Sequence, residues 1–389
     1  MDTRRPRAQP LSPRVAALST AVVLAAAAVI AGFGFHRLPG EMRDFEVYWT
    51  AAQRASASEP LYRPADGHYQ FKYLPAFAVL TVPIGRLPLS HAKAAWFAAS
   101  VALLVALVSL SIAILPERRR PMWALTLVIV VAMGKFYGHE LVLGQVNILF
   151  AVIVLSAILA MRVGRDTAAA LLIVAAVAVK PYAVIFLPWL AFVRGSRPFF
   201  TAATGLAALA ALPAVLYGIG ATIDLHRAWW VTVTQSTAPN LTNADNVSIA
   251  GLVTKWLGAG GAAPVVTLVT TAAVLAAAVY VMARRNRPHL AEPLEGAMLL
   301  TLVPLISPQG WDYVFLVSTP AITVLANYDD LLPRGQRVFT WMAGAIIGLS
   351  LFDLMGRERY AAFMSWSIIT VCYLIVLAGL VSLRVRRAA

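Results

Sequence analysis

Apolar runs of about twenty residues recur along the chain, separated by short segments rich in arginine, proline or side-chain amides. Each run is long enough to cross a hydrocarbon core of roughly 30 Å as a helix, so the pattern predicts an all-α, polytopic membrane protein. The first run, residues 15–35, follows Arg4, Arg5, Arg7 and Arg14. It is too long for the apolar stretch of a signal peptide, leaves through Gly34-Phe35-His36-Arg37, and precedes many further runs; we read it as an uncleaved helix. Two stretches depart from the pattern. Residues 74–89 carry Pro75, Pro83, Arg86 and Pro88 and are short for a span, which suits a re-entrant or interfacial segment, a true crossing being the alternative. Val179-Lys180-Pro181-Tyr182 interrupts a long apolar run and leaves a short helix on either side.

Composition agrees with that class. A chain of 389 residues that is 60% hydrophobic and only 13% charged, with mean hydropathy +0.74, is not a soluble globular domain. Its formal charge of +14 does not indicate a nucleic-acid partner, because the arginines lie in short clusters between apolar runs. That distribution marks cytoplasmic loops and contact with anionic membrane lipids. Clusters at residues 4–7, 118–120, 162–165, 194–197, 284–287, 334–337 and 384–387 place the intervening polar segments on the other face. Those external segments are 36–73, 138–147, a turn at Lys180-Pro181, 218–248, 307–312 and 353–360. Both termini then fall on the cytoplasmic side, which requires an even number of crossings, about twelve. No repeat or soluble domain interrupts residues 1–389, read as a single integral-membrane domain. The lone Cys372 excludes an internal disulfide and a thiol-rich metal site. The six histidines are scattered without ligand-like spacing, so no metal and no cofactor is expected.

The external segments hold the candidate chemistry. Asp44 lies shortly after the first apolar run, at the depth where a carboxylate meets a lipid-linked substrate. An interfacial helix over 43–54 would bury Phe45 and Trp49 at the lipid boundary and hold Asp44 and Tyr48 at a constant depth; a plainer role for Asp44 is stabilisation of a helix N-terminus. Tyr62 and Lys72 add aromatic and basic groups further along the same segment. Gly144-Gln145-Val146-Asn147 opens a helix, and its amides suit either sugar hydroxyls or contacts between helices. His139 and Glu140 precede it. Lys180 suits a phosphate as a point charge, or snorkels from a helix end. Residues 240–248 are dense in amides and hydroxyls, and Trp229 and Trp230 upstream suit stacking on a sugar or, as the favoured reading, anchoring at the interface. Ser307-Pro308-Gln309-Gly310-Trp311-Asp312 adds a second carboxylate.

Taken in order, these pieces resemble glycosyltransferase family 87. The matching elements are Asp44-Phe45-x-Val47-Tyr48, Leu61-Tyr62, Tyr73-x-Pro75, Gly144-Gln145-Val146-Asn147, Lys180-Pro181, Asn246-x-Ser248 and Ser307-Pro308-x-x-Trp311. The resemblance implies a GT-C bundle and inverting transfer of a sugar, mannose in the best-known members, from a polyprenyl-phosphate donor to a glycolipid or glycan acceptor. It further implies that Asp44 is the catalytic base. The substrate-binding set is then Tyr48, Tyr62, Lys72, His139, Glu140, Gln145, Asn147, Lys180, Asn246, Ser248, Trp311 and Asp312. The implied site is the plasma (inner) membrane, with the active centre on its periplasmic or extracellular face. In one departure from the family pattern, Tyr313 stands where a histidine often follows the Trp-acidic pair. A transporter or flippase of lipid-linked sugars is the alternative, although inverted repeats and midplane ionisable residues do not stand out.

Overall fold

The computed structural model describes residues 40–284 and 291–386. The predicted first span, 15–35, and the arginines at 4, 5, 7, 14, 285, 287 and 387 lie outside them. The described residues form helices and loops without strands, apart from a single antiparallel bridge between Asn246 and Trp311.

The helices run in chain order as α1 (Arg43–Ser56), α2 (Pro75–Leu80), α3 (Val82–Gly85), α4 (Leu89–Ala113), α5 (Met122–Leu143), α6 (Asn147–Arg162), α7 (Asp166–Val179) and α8 (Phe186–Arg194). They continue as α9 (Ser196–Ala211), α10 (Ala214–Gln235), α11 (Ile249–Leu257), α12 (Ala263–Ala283), α13 (Ala291–Ile306), α14 (Thr319–Asn327), α15 (Arg334–Leu349), α16 (Phe352–Met355), α17 (Arg357–Ser365) and α18 (Ile368–Arg386). Among the described residues, α4, α5, α12 and α18 are each long and apolar enough to cross a bilayer. The pair α9–α10, bent by 92°, adds a fifth if it forms one broken span. Other apolar runs form shorter helices. α6 and α7, of 16 and 14 residues, reach only about 24 and 21 Å at 1.5 Å per residue. The proline-rich stretch 74–89 contains two helices of six and four residues, neither long enough to cross.

α13 is central. All but two of its 16 residues are buried, as expected of a helix that is apolar on every side. Its Glu295 is enclosed with Arg384 of α18, Nη2 to Oε1 at 3.1 Å, and accepts a bond from Trp189 Nε1 at 2.8 Å. Other arginines at this end are also paired, Arg120 with Asp329 and Arg194 with Glu292, each at 2.6 Å.

The buried face of α1, with Phe45, Tyr48, Ala51, Ala52 and Ala55, packs on protein. Phe45 is 1% exposed and packs on Trp96 of α4 with ring centroids 5.3 Å apart. Trp49, partly buried, donates to the Leu87 carbonyl at 3.0 Å. The segment 74–89 and α4 thus supply protein contacts for Phe45 and Trp49, which the sequence alone assigns to the lipid boundary. The helix is pinned at its start, where Met42 N donates to Val142 O at 2.8 Å. Gly144, which ends α5 at φ 70°, faces the same junction. A Cβ on Gly144 would come within 2.8 Å of Phe45 Cβ and 2.9 Å of Met42 Cε. Only glycine satisfies both the left-handed backbone and that close approach.

Candidate active site

One end of the bundle contains a cavity of about 510 Å³. It lies where α1, the C-terminal ends of α5, α7 and α13, and the loops around residues 70, 243 and 310 converge. Of the residues singled out in the sequence, Asp44, Tyr48, Lys72, His139, Gln145, Lys180, Trp311 and Asp312 line it.

The Asp44 carboxylate is held by Gln145, whose Nε2 donates to Oδ2 at 2.6 Å. The amide orientation follows from its neighbours. A carboxylate only accepts, so the amide nitrogen faces Asp44 and the amide oxygen faces the phenols. Tyr48 OH donates to Gln145 Oε1 at 2.9 Å and Tyr73 OH does so at 3.2 Å. Burial raises the Tyr48 phenol well above its ordinary range, with Tyr73 and Asp44 adding to the shift. Burial likewise raises the Tyr73 phenol. Both therefore remain donors at neutral pH. The two hydroxyls are 2.7 Å apart, and the Tyr313 hydroxyl accepts from Gln145 Nε2 at 3.3 Å.

Two lysines share the cavity. Lys180 caps α7 in an extended conformation, because the following Pro181 disfavours helical geometry for the residue before it. Its Nζ sits 5.1 Å from the centroid of the Tyr73 ring, a cation–π contact. Lys72 reaches the same cavity from the loop before α2. Burial pulls its ammonium below the ordinary lysine range, and the Asp44 carboxylate acts in the opposite sense. On the other wall, His139 Nδ1 is 3.5 Å from Asp312 Oδ1, and its ring meets Tyr313 edge-on at 4.9 Å. Asp312 also accepts from the Tyr313 backbone N–H at 2.7 Å.

Five sequence candidates lie behind the cavity rather than on it. Glu140 caps α6: Oε1 accepts from Asn147 N at 2.5 Å and Ile148 N at 3.1 Å, while Oε2 accepts from Asn147 Nδ2 at 2.8 Å. A carboxylate at a helix N-terminus satisfies orphan amides and complements the dipole. Glu140 and Asn147 thus hold the α5–α6 turn that carries Gln145. Ser248 is the N-cap of α11, accepting from Gly251 N at 2.9 Å. Asn246 accepts from the Ser248 hydroxyl at 2.8 Å and donates to Pro308 O at 2.9 Å, joining the 240s loop to the 308–311 turn. Tyr62 donates to Tyr73 O at 2.7 Å and braces that wall.

Other lining residues were missed as site residues. Tyr73 and Tyr313 are among them, though the first carried a motif and the second a departure from one. Trp229, for which the sequence favours interface anchoring over sugar stacking, turns inward, lines the cavity and donates to Lys72 O at 3.1 Å. Its neighbour Trp230 is 62% exposed. Among the described residues no three histidine, cysteine or acidic side chains gather to hold a metal ion.

The described residues form a helical protein with membrane-length helices and a polar cavity of acids, amides, phenols and lysines at one end, the arrangement of a membrane protein with a site for a polar ligand. The family is specific: the chain matches the model of glycosyltransferase family 87 over residues 71–308, more than half its length, and belongs to that family. It is therefore a glycosyltransferase, which sets the transporter alternative aside. The matched region contains Lys72, His139, Gln145 and Lys180; Asp44 and Tyr48 precede it, and Trp311 and Asp312 follow it. No curated protein and no solved structure matches the chain.

Proposed function

We propose that the protein transfers a hexose, mannose in the first instance, from a polyprenyl-phosphate donor to a glycolipid or glycan acceptor, with inversion at the anomeric carbon. The observation that carries this reading is the Asp44 carboxylate, oriented by Gln145 in a cavity that Lys72 and Lys180 also line. In the reaction, the acceptor oxygen bonds to the anomeric carbon as the bond from that carbon to the phosphate oxygen breaks. The acceptor proton passes to Asp44 as general base. The departing phosphate leaves as an anion and needs no general acid. Lys180, with Lys72, compensates its developing charge. His139, Trp311 and Asp312 on the far wall provide hydrogen-bonding and stacking groups for a sugar. Because the donor's isoprenoid tail stays in the bilayer, the enzyme is a multi-pass protein of the plasma (inner) membrane. The distribution of the arginine clusters supports a periplasmic or extracellular face for the cavity.

The test is direct. Detergent-purified protein is incubated with polyprenyl-phosphate mannose and a panel of glycolipid acceptors, and products are followed by mass. A product heavier by one hexose, with free polyprenyl phosphate released, is expected. Transfer from a nucleotide sugar but from no polyprenyl-phosphate sugar would overturn the donor class.

A further inference from the structure

A second cavity, of about 300 Å³, opens between α5 and α15 at the other end of the bundle. Its Leu127 lies twelve residues, about 18 Å of helix, before His139. Its shape comes from two glycines one turn apart. At Gly348 the helices touch: an added Cβ would collide with the Val131 carbonyl and the Ala132 backbone. At Gly344 an added Cβ meets nothing within 4 Å. The helices therefore diverge from Gly348 toward the N-terminus of α15, and Ile322, Leu325 and Ala326 of α14 line the gap. Its flanks, Leu127, Val131 and Trp341, are exposed.

The walls are apolar apart from Thr340, whose hydroxyl donates to Gln336 O at 2.9 Å, and the wide end. There Asp329 accepts from Arg120 Nη2 at 2.6 Å and from Trp341 Nε1 at 3.3 Å. Arg337 Nε stands 3.7 Å from the same carboxylate, with half of its side chain exposed. The two segments that meet at this mouth, 117–120 and 329–337, carry five arginines against the acids Glu117, Asp329 and Asp330, of which Arg119, Arg120 and Arg337 stand beside Asp330 and Asp329. These segments therefore carry a net positive charge.

We infer that this cleft binds one acyl chain of an anionic phospholipid, with the phosphate of its headgroup at Arg337. The size fits one chain. From Arg337 to Ala345 the cleft runs about 12 Å at 1.5 Å per residue. The charge selects the headgroup, since guanidinium groups near the bilayer surface favour anionic lipids. The inference does not rest on the sugar-transfer reading.

Native mass spectrometry of the detergent-purified protein tests it with phosphatidylglycerol and phosphatidylcholine of identical chains. One phosphatidylglycerol should be retained about fivefold more than phosphatidylcholine, the factor expected from one arginine at the surface. Arg337→Ala should equalise the two lipids. Gly344→Phe should abolish the retained adduct by filling the cleft. Gly134→Phe, at another open glycine of the bundle, is the control for added bulk and should retain it. Equal retention of the two lipids by the unaltered protein would overturn the inference, as would an adduct that survives Gly344→Phe. Retention of glycerol phosphate, a headgroup without a chain, equal to that of the lipid would also overturn it.

Discussion

Gln145 Nε2 donates to Asp44 Oδ2 at 2.6 Å, joining two side chains 101 positions apart in the sequence. Gln145 itself is held by the Tyr48 and Tyr73 hydroxyls. The base proposed for sugar transfer is thus aimed by a residue first read as a sugar ligand.

Asp44→Asn keeps the size of the side chain and removes its capacity to take a proton. Initial rates should fall by about 10²–10⁴-fold, roughly 3–5 kcal/mol of barrier, while donor binding measured by titration persists. A control carboxylate should lie outside the packed interior, which excludes Glu46, whose Oε1 accepts from the buried Lys93 Nζ at 2.7 Å. Glu59, in an exposed pair with Arg63, serves instead, and Glu59→Gln should remain near normal. Full turnover in Asp44→Asn together with its loss in Asp312→Asn would move the base to Asp312.

Gln145→Glu places a second carboxylate against Asp44. Like charges disfavour joint ionisation, so the ionised base is reached only at higher pH. The acidic limb of the rate profile should move upward, and Gln145→Ala should lower kcat without that shift. An unmoved acidic limb in Gln145→Glu would separate Asp44 from the rate-limiting proton transfer.

Lys180→Ala should lower kcat/KM for the donor by about tenfold or more while acceptor affinity changes little. Lys180→Arg should recover part of the loss, since it keeps charge but not shape. Unaltered donor kinetics in folded Lys180→Ala would restrict Lys180 to its contact with the Tyr73 ring.

Gly144→Ala should destabilise the protein by about 1–3 kcal/mol, from the left-handed backbone and the enforced contact with Phe45. Thermal inactivation in detergent measures it. Because Gly144 adjoins Gln145, the remaining folded enzyme should also turn over more slowly.

Sidedness is checked by single cysteines in intact cells. Native Cys372 is buried and contributes little background. Ala57→Cys, just after α1, should react with an impermeant thiol reagent added from outside, and Arg118→Cys should not. Reversed labelling would invert the assignment of the cavity to the external face.

The helical class, the break at Lys180-Pro181 and the segments that build the cavity are legible in the sequence, because apolar run length, proline and polar interruptions are local signals. The family motifs likewise run in chain order. Which face of each helix meets protein is not legible. In α5, Ile129, Met133 and Phe136 are buried while Leu127, Val130 and Val131 are exposed, yet all six are apolar. Lipid and protein interior are equally non-polar surroundings, so burial leaves no periodic mark along such a helix. For the same reason Phe45 read as a membrane anchor and proves to be packed on Trp96. The division of polar residues into cavity wall and support was decided only by packing. Glu140 and Asn147 are spent on a helix start and Asn246 and Ser248 on a loop junction, while Gln145 and Tyr73 reach Asp44 from distant segments, because a hydrogen bond depends on distance in space and the chain encodes only distance along itself.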